Sequence, residues 1–66
     1  MKKMHVHPVR EKDIAKMEKM LNMCRVGLND WDKTKVFNYR GVNIVIYTII
    51  CTEDIHDTIE QAMKNI

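Results

Sequence analysis

Three histidines, two cysteines and a set of carboxylates are the side chains of this 66-residue chain best equipped for chemistry. His5 and His7 form an H-x-H pair. On an extended segment alternate side chains point the same way, so both imidazoles would project from one face, as two metal ligands must. A complete site needs further ligands, and His56 and Cys24 are the obvious soft candidates. No C-x-x-C or H-E-x-x-H spacing frames them. The simpler expectation is two solvated histidines on a terminal edge strand, with no metal and no cofactor assigned.

The thiols read in the same way. Cys24 falls on an apolar helical stripe and Cys51 ends an apolar strand, so both are expected to be small buried hydrophobes. Cys51 followed by His56 is the nearest approach to a nucleophile–base pair, but a catalytic cysteine needs a neighbour that lowers its pKa. Glu53, Asp54, Asp57 and Glu60 surround His56 and could do acid–base work inside a pocket. They are equally the acids that a helix N-terminus favours and the solvated face of that helix. Asp30 and Asp32 flank Trp31, read as a polar loop whose indole folds back on the core. No glycine-rich phosphate loop, Ser-His-Asp order or nucleotide fingerprint occurs. No catalytic residue is assigned, and an enzyme ranks third among the function classes.

Basic residues open a second class. Net charge is only +2, yet residues 1–40 hold ten Lys/Arg against five Asp/Glu, and residues 41–66 hold one against four. Lys12 and Lys16 lie on the first helix, Lys33 and Lys35 alternate on a polar strand, and Arg40 sits at a turn beside Tyr39. Phosphate binding requires such charges on one surface. Lysines on an edge strand also guard against aggregation, and Glu11, Asp13 and Glu18 dilute the helix. Nucleic-acid binding through Lys12, Lys16, Lys33, Lys35 and Arg40 is therefore the alternative, not the preferred reading.

These residues are carried by elements that the apolar periodicity locates. Residues 4–9 alternate as a short edge strand interrupted by Pro8. Ile14, Met17, Leu21 and Cys24 recur at helical spacing, predicting a helix over residues 10–24 with Gly27 placed for its C-cap. Residues 33–39 read as a polar strand. Asn38-Tyr39-Arg40-Gly41 fits a type I turn with a bulge at Gly41, leading into a central strand over residues 42–51. Thr52 is a good N-cap for a last helix whose stripe is Ile55, Ile59, Ala62, Met63 and Ile66. The order is (β)αββα. The fold class is α+β, with two amphipathic helices packed mainly on one face of a short antiparallel sheet. A right-handed β–helix–β crossover from the N-terminal strand is a second way to arrange it.

The chain has room for one domain, residues 1–66. Two cysteines are too few for a disulfide scaffold, which would carry about four or more, so reduced thiols in a cytoplasm are expected. Met1-Lys2-Lys3 leads into polar, histidine-rich sequence, so no signal peptide is expected, and the apolar run over residues 44–51 is far short of the ~20 residues that span a membrane.

Both faces of the central strand are apolar, and two short helices on one side leave the other open. We expect Val45, Tyr47 and Ile49, with Phe37 and Tyr39, to form that open face. The preferred function is thus a small non-enzymatic interaction or regulatory module that binds a protein partner, first of all a second copy of itself as a homodimer.

Overall fold

A computed structural model describes residues 1–64. It contains β1 (Lys3–Arg10), a 3-10 turn (Glu11–Asp13), α1 (Ile14–Met23), β2 (Trp31–Lys33), β3 (Phe37–Tyr39), β4 (Val42–Cys51) and α2 (Glu53–Lys64). The class is α+β: a four-stranded antiparallel sheet with two helices on one side. β1 runs antiparallel to β4 from Lys3↔Cys51 to Arg10↔Ile44, and β2 is antiparallel to β4 as well, so β1 and β2 are parallel and α1 makes a β–helix–β crossover between them with β4 in the gap.

β4 is the hub. β1 lies on one side of it, and β2 and β3 follow each other on the other side. The polar strand expected over residues 33–39 therefore splits in two and begins earlier, with Trp31 paired to Ile49. Its register slips between Lys33↔Tyr47 and Phe37↔Ile44, so residues 34–36 oppose only two residues of β4. A bulge of this kind breaks the ladder, and Thr34 repairs it. Its N–H donates to the Ile46 carbonyl at 3.0 Å, while the Ile46 N–H donates to Thr34 Oγ1 at 3.0 Å. Pro8 does not end β1, because the strand lies at the sheet edge, where a missing N–H can be tolerated.

Two backbone details differ from expectation. The hairpin between β3 and β4 closes through Arg40 (φ 52°) and Gly41 (φ 83°), both left-handed. This is the two-residue type I′ geometry, whose twist matches the strands, instead of a type I turn with a bulge. Asn38 Oδ1 accepts the Gly41 N–H at 3.1 Å. At the end of α1 the left-handed residue is Arg25 (φ 58°), not Gly27. The Arg25 N–H donates to the Asn22 carbonyl and the Val26 N–H to the Leu21 carbonyl, the paired bonds of a Schellman cap. The cap falls at Arg25 because it brings Val26 into the core.

The core lies between sheet and helices: Val9, Met17, Leu21, Val26, Val45, Tyr47, Ile49, Cys51 and Ile59. This corrects the predicted open face. Val45, Tyr47 and Ile49 are 1, 0 and 0% exposed, covered by the helices. Phe37 and Tyr39 do lie on the open side, because they pair with Ile44 and Val42, on the opposite face of β4 from the buried residues. An all-apolar strand does not announce which face a helix will cover. Tyr47 lies on the covered face, where its hydroxyl meets Glu18 of α1.

α2 starts as expected. The Ile55 N–H donates to Thr52 Oγ1 at 3.4 Å, and Glu53 and Asp54 occupy the first turn. Ile59 is buried, with Ile55 and Met63 packed beside it; Ile66 lies outside the described residues. No helix among the described residues is long and apolar enough to cross a membrane.

Candidate functional site

The open side of the sheet is built from the residues between the core positions. β4 contributes Val42, Ile44, Ile46, Thr48 and Ile50. The pairing register adds Met4, Val6 and Pro8 from β1, and Phe37 and Tyr39 from β3. Met4, Val6, Tyr39 and Ile50 are 69, 60, 54 and 41% exposed. Ile44 and Ile46, flanked by neighbouring strands, are half-buried. Arg10 and Asp32 lie opposite Ile44 and Thr48 and supply charge at the margins.

On the helical side, the three histidines come together. His5 and His7 pair with Ile49 and Tyr47, whose side chains point to the helices, so both imidazoles face α2 and are half-buried. This corrects the expectation of solvated histidines. The His5 ring stacks on His56 with centroids 4.1 Å apart and planes 7° from parallel. His7 meets the same ring edge-on, at 6.0 Å and 69°. One turn further along α2, Glu60 joins them. Ligand atoms of His7, His56 and Glu60 all lie within 4.8 Å of one another, the one such group of three among the described residues. Of the two soft candidates for a third ligand, the fold brings His56 to the pair and places Cys24 against the hydrophobic core.

The electrostatics follow from this crowding. Burial pushes the His7 pKa below 6.5, and His56 and Lys64 push the same way, against Glu60. Lys64 Nζ lies 3.9 Å from Glu60, and Asp57 lies 3.9 Å from His56 Nδ1. His5 Nε2 is buried with no hydrogen-bond partner among the described residues. Leaving such a group unpaired costs about 1–3 kcal/mol.

Elsewhere the expected groups are satisfied structurally. Burial raises the Cys51 pKa, with Cys24 adding to it. The opposing influences are the main-chain N–H of His56, whose ring is stacked on His5, and then the charge of Lys2. The geometry therefore gives Cys51 no activating base. Trp31 packs against Tyr47 with ring centroids 5.6 Å apart, as the fold-back reading expects.

The five basic residues fall on different elements: Lys12 in the 3-10 turn, Lys16 on α1, Lys33 at the end of β2, Lys35 between β2 and β3, and Arg40 at the hairpin tip. Lys33 Nζ sits 2.6 Å from Glu18, and Arg40 lies over the Tyr39 ring at 5.3 Å. Sequence reasoning missed Glu18. It accepts hydrogen bonds from both Lys33 and the Tyr47 hydroxyl, and these hold its carboxyl below the ordinary range. Its position on the charged face of α1 gave no sign of that role.

Comparison with protein-family models, with curated protein sequences and with solved structures finds no match to this chain.

Proposed function

We propose that the protein is a small non-enzymatic interaction module that pairs with a second copy of itself through the open face of its sheet. The carrying observation is the continuity of Met4, Val6, Phe37, Tyr39, Val42, Ile44, Ile46 and Ile50 across three adjacent strands. A chain of this size buries only ~60% of its unfolded surface, so it has little stability in reserve. Burying a large apolar side chain fully is worth ~1.5–3 kcal/mol. Several left in water together form the kind of surface that marks an interface.

The dimensions favour a copy of the same chain. Ten residues of β4 extend about 33 Å, and three strands about 4.8 Å apart give a face about 14 Å wide. That footprint is about 450 Å², and closing two of them buries about 900 Å², just under the ~1,000 Å² of a stable specific interface and in the range of weak ones. A two-fold pair of identical faces needs no complementary partner surface. An interface this small is expected to associate in the micromolar range.

Sedimentation equilibrium from low to high micromolar concentration tests the reading. The expected result is a mass rising from 7.9 kDa toward twice that value. Val6→Lys and Ile50→Lys should hold the chain monomeric and folded. A wild-type monomer at the highest concentration overturns the proposal.

A further inference from the structure

The histidine cluster is independent of the open face, since it lies on the other side of the sheet. His56 and Glu60 are four residues apart on α2, the spacing that stacks two side chains on one helical face. His7 projects toward them from β1 because it shares a strand face with core residue Val9. Sheet and helix thus bring two imidazoles and one carboxylate to within 4.8 Å of one another. From this juxtaposition we propose that His7, His56 and Glu60 form a binding site for one divalent transition-metal ion of the zinc class, with a fourth coordination position left to solvent.

The ligand types match the ion: two neutral imidazoles and a carboxylate hold zinc at about 2.0–2.2 Å, usually with water as the fourth ligand. Tetrahedral ligands at that length stand about 3.4 Å apart, so binding requires side-chain rotation to draw together atoms that now lie within 4.8 Å of one another. Ring orientation separates ligand from neighbour. An imidazole lone pair lies in the ring plane, so a metal held by His56 lies in the plane of His56. The His7 ring crosses that plane at 69° and can converge on the same ion. The His5 ring runs parallel to it, 4.1 Å away, and its lone pairs pass alongside the ion. His5 is therefore a positioning residue that fixes the His56 plane through the stack, while its own buried Nε2 has no hydrogen-bond partner among the described residues. Asp57 Oδ1 lies 3.9 Å from His56 Nδ1, beyond hydrogen-bond distance, and would have to close on that nitrogen to serve as an outer-shell carboxylate. Lys64 is the opposing charge, and binding requires it to swing away from Glu60, which its exposure permits.

Cobalt(II) added to the untagged, metal-free full chain tests the proposal. The expected spectrum shows the intense visible bands of four-coordinate cobalt, saturating at one equivalent, lacking sulfur charge transfer and abolished by zinc. Glu60→Gln and His7→Asn should each weaken zinc binding by more than about a hundredfold, beyond the ~10–100-fold that loss of an outer-shell partner alone costs. His5→Phe, which keeps the stack, and Cys24→Ser should leave the four-coordinate bands in place. The pale spectrum of six-coordinate cobalt in the wild type overturns the proposal, as do bands that persist undiminished in both Glu60→Gln and His7→Asn. Circular dichroism of Glu60→Gln, an outward-facing change, confirms that any loss is not unfolding.

Discussion

The Tyr47 hydroxyl donates a 2.8 Å hydrogen bond to Glu18 Oε2, joining the middle of the central strand to the first helix. The same oxygen receives Lys33 Nζ at 2.6 Å, so a phenol, a carboxylate and an ammonium close the edge of the core. The tyrosine is fully buried, and burial together with Glu18 pushes its pKa upward, so it stays a donor throughout the accessible pH range.

We predict that Tyr47→Phe destabilises the fold by about 1.5–3 kcal/mol, the range for a hydrogen bond to a charged group. The direction of the Glu18 shift sets the pH dependence. Its folded pKa lies below the ordinary 4.5, so its contribution is complete above that value and is lost as pH falls through the folded one. Urea melts across the acid range should show this loss in the wild type and a shallower slope in Glu18→Gln. Parallel slopes in the two proteins would refute the assignment.

Ile49 and Ile50 are adjacent in sequence and face opposite sides of the sheet. Ile49→Ala should cost about 2–5 kcal/mol, as for a large-to-small change in a filled core. At concentrations where the chain is monomeric, Ile50→Ala should cost less than about 1 kcal/mol. Equal costs in chemical denaturation would contradict the burial pattern.

Arg25 and Arg40 hold left-handed backbone that costs a side-chain-bearing residue roughly 1 kcal/mol. Arg25→Gly and Arg40→Asn should each raise stability by about 0.5–1 kcal/mol, the first by completing the helix cap and the second by matching the type I′ turn. A lowered melting temperature in both variants would argue against these turn geometries.

Cys51 should react about a hundredfold more slowly with a neutral disulfide reagent in the native protein than in denaturant, because labelling requires the core to open. Its raised pKa lowers the thiolate fraction at neutral pH further. His56→Ala should not slow the reaction, since the main-chain N–H that faces the thiol remains. Rapid labelling that this substitution abolishes would restore the ring as a base.

Element order was legible because the apolar period changes from helical to strand-like and back, and because Thr52 marks the second helix so clearly. The face of β4 was not legible, since isoleucine and valine occupy both sides and a period of two carries no sign. Glu18, which meets the Tyr47 hydroxyl on the covered face, lies twenty-nine residues away and has the same charge as any solvated acid. The H-x-H pair could be read as two side chains on one side, but not as buried, because burial depends on α2 crossing that end of the sheet. Gly27 looked like the cap by residue type. Arg25 takes the conformation because the register of Leu21 and Val26 demands it, and packing outweighs the local preference.

Every strand pair in the sheet includes β4, and Lys3 finds its partner only at Cys51. During synthesis, therefore, the first forty residues leave the ribosome with no strand to join, whatever helix α1 forms locally. Closing so long a loop costs entropy before any ladder bond repays it. The N-terminal half cannot fold ahead of the rest: folding waits for β4, and a chain stopped before residue 42 should remain an unfolded polymer.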